Sequence, residues 1–437
     1  MNATTLFIVG LFVLFAFAVL AGELMSRLGQ LPLVGQLIVG IVFGPTLLGP
    51  ALGLGGLSAS FQGIQFLATF FILLAAGLSV TPAQMRATGL GAALLGVMVF
   101  VVPFLVGTVV VRLLYPALPV LTDLFVSLTL SITALPVLGV MLREFDLMKT
   151  RFGVFLLNGA VVNELAAVTV FAILLRVRSG PGSIGLDLLV SFLAVALFLC
   201  TVLAAHTLVK LLHERGRWPS MVVRFRERWH SREAWFALLM VGALGAALYS
   251  QYLGLTFLIG AFYAGLLVTP ESAGRKPHRA FLHVFDTITW GFFIPLFFAL
   301  VGLEMNLRLL GTTWFALGAF GVLCLFAFGS KLFLGGAVTR TLGWSGAESL
   351  GAGFLLASRG AVELAMAVIL LSLGVFTTSL FTVVAAVGLV TTFLSPMGAR
   401  PFVGPPPRRR GTLGIAEFRP GAPPRSDPLG ADGAPAR

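Results

Sequence analysis

Charged residues are scarce in this sequence of 437 residues, because Asp, Glu, Lys and Arg together make up only 11% of it. Hydrophobic residues make up 58%. No soluble core can bury so large an apolar share. The composition therefore excludes a soluble globular protein and predicts a polytopic protein of the lipid bilayer.

Cysteine and histidine are also rare. Cys200 and Cys324 both lie inside apolar stretches and form no CxxC pair, so the sequence indicates neither a disulfide nor a cysteine metal site. The five histidines have no nucleophile or metal-ligand spacing around them, which argues against an enzyme, and no cofactor is predicted. They are His206, His213, His230, His278 and His283.

Apolar segments long enough to cross a bilayer predict an all-α membrane protein with about 13 transmembrane helices. The chain then becomes rich in Pro, Arg and Gly over residues 401–437, which predicts a disordered cytoplasmic tail after a membrane domain of residues 1–400. The predicted spans are Thr5–Leu24, Leu31–Gly49, Phe61–Val80, Ala87–Tyr115, Thr122–Arg143, Phe152–Leu175, Leu186–Leu212, Glu233–Tyr252, Leu255–Thr269, Val284–Leu303, Trp314–Thr341, Ala347–Leu373 and Phe376–Ala399.

Basic residues are distributed unequally between the two ends of these spans. With the N-terminus outside, 4 of the 29 Lys and Arg residues face the exterior and 23 face the cytoplasm. The positive-inside rule thus predicts an external N-terminus and a cytoplasmic C-terminus in a cell membrane, most simply a bacterial inner membrane. It also accounts for the net charge of +12 without nucleic acid as a partner.

Several residues recur at a constant separation of 225 positions, which is seven spans. Because seven spans reverse the direction of the chain, we expect two inverted six-helix repeats joined by the seventh span, as in secondary transporters. The recurring residues are Gly35, Gly40 and Pro45 with Gly260, Gly265 and Pro270; Gly77-Leu78 with Gly302-Leu303; and Thr133 with Ser358.

Helix-breaking residues occur at matching places in the two repeats. The fifth span carries Thr133 and Pro136 at its middle, and the twelfth carries Ser358 and Gly360. Proline removes a backbone donor and glycine permits conformations closed to other residues. Two interrupted helices near the midplane predict an ion-binding site there.

Four ionisable side chains lie deep inside the predicted spans: Glu164, Lys331, Arg359 and Glu363. One interpretation is purely structural, with two buried salt bridges, and for Arg359 and Glu363 it stays open. For Glu164 we favour an ion or proton site, since a charge at a bilayer centre costs roughly 2.5 to 3.5 kcal/mol and is seldom kept without a function. Lys331 is its expected counter-charge.

A series of motifs resembles the monovalent cation:proton antiporter superfamily, specifically its second family, over nearly all of residues 31–396. The resemblance implies the sodium/proton antiporter fold, with crossed discontinuous helices, in a homodimer. It also implies a dimerisation scaffold (about 1–80 and 233–304), a mobile core (about 87–175 and 312–399) and a linker helix (about 186–212). The motifs are Gly44-Pro45 in the second span, GLS at the end of the third span, GLE at the end of the tenth span, TALPV from Thr133, GAVVNEL from Gly159, GSK ending at Lys331, SRGAVEL from Ser358 and TTFLSP from Thr391.

The resemblance also implies roles for individual residues. Glu164 matches the ion- and proton-binding aspartate of the family, and Asn163 matches the position before it. Lys331 matches the core lysine that pairs with an aspartate at that preceding position where one exists. Arg359 and Glu363 match the basic and acidic residues after the second helix break. Glutamate at 164 and asparagine at 163 depart from the commonest pattern.

The sequence therefore predicts exchange of protons for Na⁺ or K⁺ by alternating access, with both ions competing for Glu164. Hard cations prefer oxygen ligands, which Asn163, Thr133 and Ser358 can add. Because only one carboxylate is present at positions 163 and 164, electroneutral exchange is expected. A cation channel and a non-transporting membrane sensor with the same fold are the alternatives.

Overall fold

The computed structural model describes residues 3–49, 61–78, 89–148, 150–179, 184–214, 234–255, 257–268, 275–311 and 314–403. These residues are helical apart from short connections. Their helices are α1 (Ala3–Arg27), α2 (Pro32–Phe43), α3 (Gln62–Leu78), α4 (Leu90–Leu114), α5 (Val120–Ser131), α6 (Leu135–Glu144), α7 (Arg151–Ser179), α8 (Ile184–Glu214), α9 (Ala234–Tyr252), α10 (Phe257–Leu267), α11 (Arg275–Ile288), α12 (Ile294–Glu304), α13 (Trp314–Thr341), α14 (Gly346–Leu356), α15 (Ala361–Ser372) and α16 (Thr378–Val403).

The predicted all-α architecture with about 13 crossings is confirmed. Ten spans correspond to one helix each, and the fifth, tenth and twelfth are built from two helices. Seven segments of the described residues are long and apolar enough to cross a membrane on their own. The second span is shorter than predicted, since its helix ends at Phe43, and α16 continues through residues 401–403. The remainder of the predicted tail and Pro270 lie outside the described residues.

The tenth span differs most from its prediction. Its helix begins at Arg275 instead of Val284, and α11 joins α12 through a π-helical turn, Thr289–Phe293. Hydropathy alone does not select this first part of the helix, because it contains charged residues such as Arg275 and Lys276. The π turn leaves no signal in residue types.

Close helix contacts repeat at the separation found in the sequence. A Cβ on Gly35 would collide with the Ala21 carbonyl of α1, and a Cβ on Gly260 would collide with the Ala246 carbonyl of α9. Each residue of the second contact is 225 positions beyond its counterpart in the first. The inverted repeat is therefore present in the packing as well as in the residue types.

Two further helix crossings show the same correspondence. Helices α2 and α12 touch backbone to backbone, and α3 and α10 do the same. At such a crossing only glycine lets the two backbones approach, so the contact determines the residue type. The colliding pairs would be Gly40 with Ala299, Gly302 with Leu37, Gly265 with Leu74 and Gly77 with Phe262.

Polar groups lie inside the helix bundle, and apolar side chains cover its outer face. In α5 every residue from 125 to 131 is buried, and in α15 every residue from 361 to 368 is buried. On the outside, Phe12 of α1 and Leu325 of α13 are more than two-thirds exposed, as expected for side chains that face lipid. The interrupted helices are thereby placed at the centre of the bundle.

We expect Gly302→Ala to destabilise the protein by about 1 to 3 kcal/mol, because the added methyl would overlap the α2 backbone and force the helices apart. Thermal unfolding in detergent measures this effect. Gly318→Ala is the control, since a Cβ there meets no atom within 4 Å. A loss of stability equal to that of the control would show that the α2–α12 contact is not tight.

Candidate functional site

The fifth span is interrupted at its middle. Helices α5 and α6 are joined by the extended residues 132–134, with φ and ψ of −73° and 145° at Ile132 and −76° and 105° at Ala134. Pro136 lies in the first turn of α6. A proline is tolerated there because the first N–H groups of a helix have no partner within it. Pro136 therefore starts the second half-helix.

The twelfth span is interrupted at residues 357–360. Gly360 has φ −170° and ψ −148°, which is extended backbone. The prediction that this glycine adopts a conformation closed to other residues is therefore wrong. A Cβ on Gly360 would instead lie 2.6 Å from Val137 Cγ2 and 2.9 Å from Ala134 Cβ. Glycine is needed here because the two interruptions approach each other closely.

Hydrogen bonds connect the two interruptions where they cross. Thr133 Oγ1 donates to the Leu356 carbonyl at 3.0 Å, and the Ala134 N–H donates to the Ser358 carbonyl at 3.3 Å. The Ser358 hydroxyl turns back to the Leu355 carbonyl of α14 at 2.8 Å. Thr133 and Ser358, predicted as ion ligands, are thus both buried at the crossing, and both already hold backbone groups in place.

Asn163 of α7 faces the first interruption. Its Oδ1 accepts the Thr133 N–H at 2.8 Å, and its Nδ2 donates to the Ser131 carbonyl at 3.4 Å. One side chain thereby satisfies a donor and an acceptor released by the break. An aspartate has no donor for the Ser131 carbonyl, so the amide suits this position.

Glu164 is fully buried beside Asn163. Its Oε2 accepts the N–H of Leu135, the first residue of α6, at 3.3 Å, whereas its Oε1 has no hydrogen-bond partner among the described residues. A helix N-terminus carries a partial positive charge, which stabilises an adjacent carboxylate. One oxygen is therefore anchored, and the other remains an unused acceptor.

Lys331 of α13 lies against the same interruption but does not bind Glu164. Its ammonium donates to the Val99 carbonyl at 2.8 Å, to Thr133 Oγ1 at 3.0 Å and to the Ser131 carbonyl. Among the described residues it forms no ion pair. The expected pairing of Lys331 with Glu164 is absent, and the lysine instead binds a carbonyl of α4 and two oxygens where α5 ends.

Arg359 binds two further carbonyls at that helix end. Its guanidinium donates to the Thr129 carbonyl at 2.8 Å and to the Leu130 carbonyl, and it lies 3.4 Å from Glu363 Oε1. A helix C-terminus carries a partial negative charge, so two buried cations there are electrostatically favoured. Of the two salt bridges considered from the sequence, only this one forms.

Thr392 was not identified as a site residue from the sequence. Its hydroxyl accepts the Arg359 N–H at 3.1 Å and donates to the Arg359 carbonyl at 2.8 Å, which connects α16 to the second interruption. The TTFLSP motif contains Thr392 and is the feature of the sequence that could have pointed to it. A threonine in a span usually bonds its own helix, as Thr391 does, so the motif alone does not distinguish the two.

Comparison with known proteins identifies a family that matches this chain. A family model described as sodium/hydrogen exchanger, transmembrane, matches residues 12–404. The probable Na(+)/H(+) antiporter GerT of Bacillus cereus is 25% identical, over 78% of this chain and 85% of its own. The Na(+)/H(+) antiporter NhaS4 of Synechocystis sp. is 26% identical, over 83% of this chain and 88% of its own.

Two further comparisons concern a longer relative and a solved structure. The K(+)/H(+) antiporter 1 of Saccharomyces cerevisiae is 24% identical over 77% of this chain, which spans only 39% of that protein. The structure of the sodium proton antiporter MjNhaP1 from Methanocaldococcus jannaschii superimposes with a TM-score of 0.68 at 14% identity, covering 90% of this chain and 96% of its own. This likeness concerns the fold.

We expect Arg359→Ala to destabilise the protein by roughly 3 to 5 kcal/mol, because it leaves Glu363 and the carbonyls of Thr129 and Leu130 buried without a partner. Adding Glu363→Gln removes the stranded charge but not the stranded carbonyls. The double variant should therefore recover part of the loss, as measured by thermal unfolding in detergent.

Arg27→Ala serves as the control for that cycle. Arg27 pairs with Glu23 at 3.0 Å, but both side chains are more than half exposed, so its removal should change stability by less than about 1 kcal/mol. Strictly additive losses for Arg359 and Glu363 would show that the two side chains are not coupled.

Proposed function

Because this chain belongs to the sodium/hydrogen exchanger family, we propose that it is a secondary transporter that exchanges protons for a monovalent cation, Na⁺ or K⁺, by alternating access. The observation that carries this proposal is the buried carboxylate of Glu164, anchored through one oxygen and unpartnered at the other.

A single negative charge at this place couples the two ion flows. Burial disfavours the charged carboxylate, and neither Lys331 nor Arg359 forms an ion pair that would neutralise it. Either a proton or a metal cation can do so. Since both compete for the same carboxylate, one is released when the other binds, and the carrier crosses loaded with one of them.

The proposed site offers further oxygen ligands for a hard cation. Asn163, Thr133 and Ser358 each present an oxygen near the crossing of the interruptions, and the extended residues 132–134 add carbonyl groups. Lys331, Arg359 and Glu363 have a different role in this proposal. They compensate the charge of the helix ends and hold the site together.

The moving part would be the core of about residues 87–175 and 312–399. Lys331 and Arg359 bind carbonyl groups on α4, α5 and α13, so these helices are joined by buried hydrogen bonds and suit movement as one body. The glycine contacts between α2 and α12 and between α3 and α10 likewise suit a rigid scaffold over about 1–80 and 233–304. We further propose a homodimer formed through that scaffold, in a cell membrane with the N-terminus outside.

We expect Glu164→Gln to reduce exchange to the background of empty liposomes while leaving the unfolding temperature nearly unchanged. The amide still accepts the Leu135 N–H but cannot take up and release a proton or bind a cation tightly. The measurement is pH-gradient-driven Na⁺ and K⁺ flux in proteoliposomes.

Two variants accompany this test. Glu23→Gln removes an exposed carboxylate on α1 and should keep full exchange. Glu164→Asp keeps the charge and should keep exchange, with an altered preference between Na⁺ and K⁺. Proton-coupled transport by Glu164→Gln at more than a small fraction of the wild-type rate would disprove the assignment. Ohmic conductance in the wild type would indicate a channel. The absence of any ion flux in the wild type would indicate a non-transporting sensor.

We also expect one proton to exchange for one cation, with no net movement of charge. Position 163 is an asparagine, and Lys331 keeps its proton in both half-cycles if its three oxygen acceptors stay in place. Flux at fixed ion and pH gradients should then be independent of a clamped membrane potential. A voltage-dependent rate would show that Lys331 releases a proton when the cation binds.

A further inference from the structure

A cavity of about 470 Å³ opens between three helix ends of the core, at the side opposite the α5 N-terminus. It lies where α4 begins, where α7 begins and where α13 turns into α14. The cavity is separate from the crossing described above, since it contains none of the interrupted residues. Its lining includes Gly89, Gly91, Arg151, Asn158 and Trp344.

The start of α4 presents backbone donors to this cavity. The helix begins after Gly89, which has no side chain to cap it, and the first N–H groups of any helix lack partners within the helix. Gly89 and Gly91 both line the cavity, so the positive end of a helix of 25 residues faces it. An anion is the favoured occupant of such an end.

Asn158 is an independent sign of a ligand. It is only 4% exposed, and its Oδ1 has no hydrogen-bond partner among the described residues, although it lines the cavity. Buried amides are ordinarily hydrogen-bonded, because an unpaired polar group loses its water without replacement. The side chain therefore suits a bound molecule that has hydroxyl groups beside its charge.

Arg151 supplies a full positive charge at the cavity mouth. Its guanidinium lies over the ring of Trp344, 5.9 Å from the ring centroid, and it forms no ion pair within the described part of the chain. Stacking on the indole holds the guanidinium without using its donors. A planar guanidinium with free donors matches the oxygens of a phosphate group.

We propose that this cavity binds a phosphate-bearing anion with neighbouring hydroxyl groups. The phosphate lies between Arg151 and the start of α4, and the hydroxyl groups reach the Asn158 amide. Trp344 is typical of the membrane–water boundary, so two sources supply this chemistry: the glycerophosphate headgroup of an anionic lipid or a soluble glycerol phosphate. Binding there is independent of the exchange reaction.

The test uses the full chain in a neutral detergent and measures thermal unfolding and native mass spectra. The probes are phosphatidylglycerol, glycerol 3-phosphate and, as an uncharged comparison, diacylglycerol. Saturable binding and stabilisation by the lipid alone support a headgroup site, and the same response to both phosphates supports a site for the free anion. No saturable response to either phosphate would overturn the proposal.

Variants locate the binding in the cavity. Arg151→Gln should weaken the binding of the responding phosphate by about tenfold or more. Gly89→Asp caps α4 with a carboxylate in open space, so it should abolish the response while keeping or raising the unfolding temperature without ligand. Arg27→Gln removes an exposed arginine from α1 and should bind as the wild type does. Wild-type affinity in both cavity variants would overturn the assignment.

Discussion

An interrupted helix inside a membrane leaves carbonyl groups without partners in their own helix, and the arrangement of this site depends on how those groups are satisfied. Here Lys331 and Arg359 donate to the carbonyls at the end of α5 and to atoms of the helices packed around it. Unsatisfied, each buried carbonyl would cost several kcal/mol in hydrocarbon. The two cations are thus required by the break itself.

This use of the cations determines the state of Glu164. A lysine paired with the carboxylate would hold it permanently charged and neutralised, leaving little reason for an ion to bind. Lys331 binds oxygens instead, and Glu164 is held at the N-terminus of α6, which carries a weak partial positive charge. In the proposed exchange, the charge that completes its neutralisation comes from solution.

Features that depend on residue type were predictable from the sequence, and features that depend on backbone groups were not. Hydropathy gave the spans, and the recurring glycines gave the repeat. The partners of Lys331 could not be predicted, because every residue has a carbonyl and none marks it as an acceptor. The role of Thr392 could not be predicted either, because its hydroxyl binds backbone groups outside its own helix. The reason for Gly360 was also hidden, because glycine is needed there for packing space and not for its backbone conformation.

The glycine crossings have a mechanical consequence. Where α2 meets α12 and α3 meets α10, no side chain stands between the backbones, so no side chain there can repack to absorb a displacement. The inverted repeat relates the two crossings to each other, so the same stiff contact occurs twice, in opposite directions across the membrane. If these helices form the proposed scaffold, the mobile core would move against a rigid surface with two related halves, one for each side of the membrane.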